Sequence, residues 1–364
     1  MPTRRYDERD VRVRPGKGSR PRTKQRPEHA DAEVALVTAV DRGRYTVLVD
    51  ADGPDERRAV AMKARELGRE RVVPGDLVDV VGDTSGDDGS LARIVRIGPR
   101  RTVLRRTADD TDPIERVIVA NADQLVVVTA LADPEPRTRM IDRCVAAAYD
   151  ARMDVLLALT KADLADAGWL VEMYAPIGVR VVVTRTDAGG AAGTAGTVHG
   201  LEAVLDALDG RTSVLVGHSG VGKSTLVNAL VPDAGRAIGR VNDVTGRGRH
   251  TSTSAVALRV PGTHAPTWVI DTPGVRSFGL AHVDPQHLIG AFADLAAVSE
   301  ECPRGCTHAT DSPDCLLDTW VADAPGATVH DARAARVASF RRLLASRLGT
   351  PDGDPRETGG PALP

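Results

Sequence analysis

A chain of 364 residues has room for two or three domains, and a hydrophobic content of 42% supplies more than one core. Its 47 Lys/Arg nearly balance 50 Asp/Glu, so the net charge of −3 names no partner class by itself. No apolar run reaches the roughly 18 residues of a membrane-spanning helix, and the N-terminus lacks an apolar signal core. The chain is therefore expected to be cytoplasmic, without a membrane partner.

Charge distribution says more than net charge. Residues 1–30 carry ten Lys/Arg against four Asp/Glu, a net of +6, with several prolines and few large apolar side chains. Such a segment cannot bury a core and reads as a flexible basic arm, suited to phosphate backbones or merely to solubility. The next stretch alternates short β-rich runs with glycine turns: Ala32–Val40, Arg44–Asp50, Arg58–Met62, Leu77–Val81 and Ala92–Ile97. Five short strands of this kind predict a small Greek-key barrel of the OB type, either RNA-binding or purely structural. Its one aromatic residue is Tyr45, so backbone and shape contacts have to dominate any RNA binding.

From here strands alternate with helices, which implies a parallel sheet. Val117–Ala120 and Gln124–Thr129 read as strands, and Arg139–Asp150 as a helix with Cys144 in its apolar face. An apolar strand then ends in Thr160-Lys161-Ala162-Asp163. The usual guanine-reading motif is N-K-x-D: its carboxylate accepts from guanine N1–H and N2–H₂, and its lysine stem lies over the base. Asp163 and Lys161 are the specificity residues on this reading. Thr160 keeps a hydroxyl but lacks the carboxamide of Asn. Taken alone, T-K-A-D is also an ordinary strand-end turn. A further strand and turn, Val179–Thr186, offers a backbone contact for guanine O6.

Gly217-His218-Ser219-Gly220-Val221-Gly222-Lys223-Ser224 is a complete G-x-x-x-x-G-K-S phosphate loop. It follows the apolar strand Ser213–Val216 and opens a helix at Thr225, the context that supports the motif. Glycines let backbone N–H groups turn toward phosphate, and the helix N-terminus adds positive potential. Lys223 is expected on the β- and γ-phosphates and the Ser224 hydroxyl on Mg²⁺. Downstream, Trp268–Ile270 reads as a strand ending in Asp271-Thr272-Pro273-Gly274. Asp271 suits the Mg²⁺ shell, and Gly274 can offer its N–H to the γ-phosphate. Between them Gly246-Arg247-Gly248-Arg249-His250-Thr251-Ser252-Thr253 reads as a switch loop whose Thr251 or Ser252 closes on Mg²⁺, or more plainly as a solvated surface loop.

Three of the four cysteines cluster as Cys302-x₃-Cys306-x-His308-x₆-Cys315. Three thiolates and one imidazole at this spacing suit one tetrahedral Zn²⁺. No ligand position is left open, so the ion is expected to be structural. A helix around Asp331–Leu348 follows, then a Gly/Pro-rich tail.

The order of these motifs matters as much as their identity. In an ordinary GTPase the base-reading motif follows the phosphate loop; here it precedes it. Barrel, T-K-A-D, phosphate loop, G-R-H-T-S, D-T-P-G and a Cys-Cys-His-Cys cluster together resemble the RsgA (YjeQ or EngC) family of circularly permuted GTPases. The resemblance implies a multidomain fold: an arm at 1–30, an OB-type β-barrel at 31–108 and a permuted α/β P-loop GTPase domain at 109–295. A zinc-binding and helical segment at 296–348 and a tail at 349–364 complete it. It also implies ribosome-stimulated GTP hydrolysis in late maturation of the small ribosomal subunit, contact with that subunit's rRNA, and a monomer. Gly217 through Thr225 are implied to hold GTP and Mg²⁺, Thr160 through Asp163 to read guanine, and Cys302, Cys306, His308 and Cys315 to ligate zinc. The place after D-x-x-G where many GTPases carry glutamine is Val275, and the resemblance gives the catalytic role to His250. Thr160 departs from the family's Asn. The rival readings are a GTP-binding RNA chaperone, a permuted GTPase acting on the large subunit, and an ATP-using P-loop enzyme.

Overall fold

The computed structural model describes residues 29–106, 115–187, 197–234, 255–272 and 283–348. Residues 1–28, the stretch 246–253 with His250, Thr251 and Ser252, then Gly274, Val275 and the tail lie outside the described residues.

Five strands, β1 (Glu33–Asp41), β2 (Arg44–Val49), β3 (Arg57–Lys63), β4 (Leu77–Gly82) and β5 (Ala92–Ile97), form the N-terminal barrel. They pair around the ring in the order β1-β2-β3-β5-β4, and β4 returns to β1 to close it. Alternation sorts each strand: Val37, Val47, Ala61, Val80 and Ile94 point inward and are buried. Tyr45 also belongs to this interior and is 7% exposed, so it offers no stacking platform to an RNA base. Gly75 sits where the barrel meets the following domain. Its φ is +88°, and a Cβ there would lie 2.0 Å from the Ala120 carbonyl oxygen, so only glycine allows this approach.

The α/β domain follows. A short hairpin, β6 (Val103–Arg106) with β7 (Arg116–Ala120), precedes β8 (Gln124–Ala130), α1 (Thr138–Asp150) and β9 (Asp154–Thr160). Then come α2 (Gly168–Tyr174), β10 (Arg180–Val183), and the small pair β11 (Arg185–Thr186) and β12 (Val198–His199). The next elements are α3 (Leu201–Leu208), β13 (Thr212–Gly217), α4 (Lys223–Leu230), β14 (Val256–Arg259) and β15 (Trp268–Asp271). Strands β10, β9, β8, β13 and β15 are parallel in that spatial order. Strand β14 is antiparallel to β15 and carries the sheet on to barrel strand β1 through the pair Ala39↔Val256.

The parallel strands read as near-continuous apolar runs because both their faces are covered. Leu125, Val127, Leu157 and Val214 face one core, while Val126, Val128, Leu156 and Leu215 face the other. Helices α3 and α4 cover the second face, with Val204, Leu208, Leu226 and Leu230 buried there. The first face receives α1, α2 and the whole C-terminal set: α5 (Pro285–Gly290), α6 (Ala293–Ser299), α7 (Leu316–Ala322) and α8 (Ala327–Leu348). Helix α5 starts on Asp284, whose carboxylate accepts from Gln286 N at 2.9 Å, with Pro285 in its first turn.

An aromatic chain links these helices. The Tyr149 and Phe292 rings lie 5.5 Å apart, and Phe292 and Phe340 lie 5.8 Å apart, both edge to face. Beside it, buried Asp142 of α1 accepts from Arg342 of α8 at 3.1 and 3.2 Å and from the Tyr174 hydroxyl at 2.9 Å. Burial holds the Tyr174 phenol well above its ordinary pKa, so it remains a donor. We expect Tyr174→Phe to lower stability by about 1 kcal/mol, since Asp142 keeps its guanidinium partner. Urea unfolding of the full chain measures this, and a loss above about 3 kcal/mol would mean that Arg342 leaves with the hydroxyl.

Candidate nucleotide and metal sites

In an open α/β sheet the ligand crevice lies at the carboxyl ends of the strands, where the strand order reverses. Here that point falls between β8 and β13. Chain order runs outward from β8 through β9 to β10, then returns to place β13 on the other side of β8. Gly217 ends β13, and Gly220 and Gly222 take φ of +85° and +87° as the chain turns into α4. A Cβ at Gly217 would stand 2.7 Å from the Val128 carbonyl oxygen, which fixes how closely the loop passes over β8. Ser219, Gly220, Ser224 and Thr225 are exposed along the crevice, and His218 and Lys223 are half-buried.

The Thr160–Asp163 segment reaches the same crevice from β9. The Thr160 hydroxyl, buried, donates to the Val221 carbonyl of the phosphate loop at 2.6 Å. The Gly222 Cα faces the same side chain, so that a Cβ there would lie 3.5 Å from Thr160 Oγ1. Residues 61 positions apart are thus joined by one hydrogen bond. Lys161 takes a left-handed φ of +58°, and its ammonium donates to the Asp133 carbonyl in the loop after β8. Ala162 N donates to the Thr184 carbonyl at 3.2 Å, and Thr184 N donates to the Leu159 carbonyl at 2.7 Å. The turn is therefore clamped between β8 and β10, while Asp163 itself is exposed toward solvent. Asp133 was not among the residues singled out from the sequence, whereas Thr184 lies in the strand and turn Val179–Thr186 read there as offering a backbone contact. Both act through main-chain carbonyls, which leave no side-chain signature.

Across the crevice from the Thr160–Asp163 segment, Asp271 ends β15 and forms an ion pair with Lys223; their side chains are 15% and 13% exposed. Thr272, buried, donates its hydroxyl to the Leu215 carbonyl at 2.7 Å and anchors the strand end against β13. A carboxylate, a lysine and the Ser224 hydroxyl thus lie around one helix start. Their chemistry suits a polyphosphate with a hard divalent cation.

The cluster of Cys302, Cys306, His308 and Cys315 lies in the segment between α6 and α7, with Cys315 preceding α7 directly. Their ligand atoms all lie within 4.8 Å of one another. His308 Nδ1 stands 3.4 Å from Cys306 Sγ and 3.8 Å from Cys315 Sγ. Ligands about 2.3 Å (sulfur) and about 2.0 Å (nitrogen) from one tetrahedral zinc would be about 3.5–3.8 Å apart, so the donor set fits that ion. Burial pushes the Cys315 thiol up to about 11. Burial also pushes Cys306 up, but hydrogen bonds from the Ser312 hydroxyl and the His308 backbone outweigh it, and this thiol lies below its ordinary value. Arg341 Nε donates to the His308 carbonyl at 3.1 Å and grips Asp318 at 2.7 and 2.8 Å, tying the loop to α8 and α7. Cys144 is fully buried in α1, with its thiol pushed up to about 12 by burial, and belongs to the core.

Residues 97–281 match the family model described as RsgA GTPase. The chain belongs to the RsgA GTPase family. Members of this family hydrolyse GTP, and the permuted motif order is a property the chain shares with them. It is 32% identical over 292 residues to the small ribosomal subunit biogenesis GTPase RsgA of Chlorobaculum parvum, covering 78% of this chain and 89% of that one. With the protein of the same description from Pseudomonas aeruginosa it shares 36% over 269 residues, 72% of this chain and 73% of the other. Among solved structures it resembles YjeQ from Thermotoga maritima, with a TM-score of 0.59 at 22% identity over 88% of this chain and 100% of that chain. YloQ, described as a circularly permuted GTPase, gives a TM-score of 0.57 at 20% identity over 88% and 97%.

Proposed function

We propose that this chain is a GTPase of small ribosomal subunit biogenesis, one that hydrolyses GTP in response to docking on the subunit late in its maturation. The observation that carries the reading is the bond from Thr160 to Val221. It joins the two motifs written in reversed order into one nucleotide crevice. The relatives described as small ribosomal subunit biogenesis GTPases support the rest.

In this reading Asp163 accepts from guanine, Lys161 covers the base, and the backbone of Gly217 through Gly222 cradles the phosphates. Lys223 leaves Asp271 for the β- and γ-phosphate oxygens when the nucleotide enters. Ser224 and Asp271 hold Mg²⁺, which would neutralise developing negative charge on the phosphates. Gly274 offers its N–H to the γ-phosphate, Thr251 or Ser252 closes on Mg²⁺, and His250 orients the water that attacks the γ-phosphorus, leaving GDP and phosphate. Cys302, Cys306, His308 and Cys315 hold one structural Zn²⁺. The barrel and the zinc-binding segment contact rRNA, and the working protein is a cytoplasmic monomer. Domain limits near 30, 108, 295 and 348 go with this reading.

The test is GTP turnover with and without purified small subunits, with large subunits and ATP as parallel arms. Stimulation confined to small subunits and GTP is expected. Equal stimulation by large subunits, or equal use of ATP, would overturn the reading. For the metal, we expect about one zinc per chain by elemental analysis. Cys306→Ser should bring it well below half an equivalent and release it to a mild chelator, with loss of α7 and α8 order in hydrogen exchange. Full zinc retention in Cys306→Ser would remove that residue from the ligand set.

A further inference from the structure

One of the places where the barrel grips the α/β domain is the strand pair β14 and β15. Their register sets Val256 opposite Asp271 at one end and Arg259 opposite Trp268 at the other. The first end faces the phosphate loop through the Asp271–Lys223 ion pair. The second end is held by the barrel. Arg259 donates to Asp52 Oδ1 at 2.6 Å and to both oxygens of Glu56, one of them at 3.0 Å. Asp52 and Glu56 belong to the loop between β2 and β3. The guanidinium lies 4.9 Å from the centre of the Trp268 ring, and Trp268 Nε1 donates to Asp52 Oδ2 at 3.4 Å. Trp268 is buried, and Val269 and Ile270 have no exposed surface, so β15 has little room to bend between its ends. Three residues of strand, about 10 Å, separate this Arg259 contact from Asp271, and the barrel meets the other end of the hairpin through the pair Ala39↔Val256.

We infer that Arg259 is a positioning residue: through Trp268 and the rigid strand β15, the barrel loop 50–56 sets the place of Asp271 in the nucleotide site. Displacement of a catalytic-site group by about 1 Å can cost 10²-fold in rate, so a strand anchored at its far end is a sensitive lever. A barrel docked on its partner would act on hydrolysis by this route, without touching the nucleotide. The inference rests on the proposed role of Asp271 in holding Mg²⁺.

Two full-length variants remove the grip from opposite sides. Arg259→Ala acts from the hairpin. The pair Asp52→Asn with Glu56→Gln acts from the barrel and leaves the hairpin sequence intact should the first variant fold poorly. Arg259→Lys keeps the charge but not the planar fork or the stack. The Mg²⁺ concentration for half-maximal binding of a fluorescent GTP analogue should rise about tenfold in the first two and less in the third. In nucleotide-free protein, the Ile270 and Asp271 amides should exchange about tenfold faster, with the barrel amides unchanged. Unchanged exchange in both variants overturns the inference. So does a loss of nucleotide binding that excess Mg²⁺ fails to restore, because that outcome marks general damage to the loop. Turnover with small subunits separates the two levels of argument. If wild type is not stimulated, the functional proposal fails while the exchange and Mg²⁺ comparisons still decide this one.

Discussion

Lys223→Ala is expected to lower single-turnover GTP hydrolysis by about 10²–10³, the range for losing one preorganised charge aimed at a developing anion. The expectation follows from placement. The Lys223 side chain is 13% exposed and already satisfied by Asp271 before any nucleotide enters, so the protein holds a desolvated cation where the β- and γ-phosphates would sit. A triphosphate exchanges one anionic partner for another and leaves the ammonium no more exposed. The same substitution strands Asp271 without its partner, so nucleotide-free protein should lose some stability while its parallel sheet persists. Lys223→Arg should not restore the rate, because a bulky planar guanidinium does not fit the point contact an ammonium makes. Rapid-quench hydrolysis at saturating nucleotide, with far-UV circular dichroism as the folding control, measures the effect. A rate within threefold of wild type would show that Lys223 does not face the γ-phosphate.

Much of this architecture was legible from the sequence for identifiable reasons. The strands β8, β9 and β13 are buried on both faces, so they read as apolar runs. Glycine-rich turns mark the phosphate loop, and cysteines have few other uses in a polar loop. The barrel strands were equally plain because alternation records a one-sided core. What was hidden depends on contacts between distant segments. Nothing in the local pattern of residues 327–348 says that α8 covers the same sheet face as α1. That follows from Arg342 meeting Asp142, a pairing across 200 positions. Nor does a lone Tyr45 in a strand say whether its ring points in or out until the register with Ala61 is known. The continuation of the sheet from β14 into the barrel rests on a single pair, Ala39↔Val256, which no periodicity encodes.

Thr160 is the residue for which the coordinates change the chemical reading most. Set beside the N-K-x-D pattern, it looks like a weakened base contact. In the structure its hydroxyl is spent on the phosphate loop, as a buried donor to the carbonyl of buried Val221. Thr160→Val keeps the shape, removes the donor and leaves the Val221 carbonyl unpaired, at a cost of about 1–3 kcal/mol. Expressed as affinity, GTP binding should weaken about 5- to 150-fold. Because the lost contact holds the loop and not the base, GDP and ATP should weaken in proportion, and the ratio of GTP to ATP affinity should stay within threefold of wild type. Asp163→Ala should behave in the opposite manner, collapsing that ratio while the phosphate loop stays in place. Thr160→Ser retains the hydroxyl and should bind within a few-fold of wild type. Calorimetric titration of the variants with GTP, GDP and ATP distinguishes the two roles. If Thr160→Val binds GTP as tightly as the wild type, the two motifs are joined by something other than this bond, and the physical basis offered for their convergence is wrong.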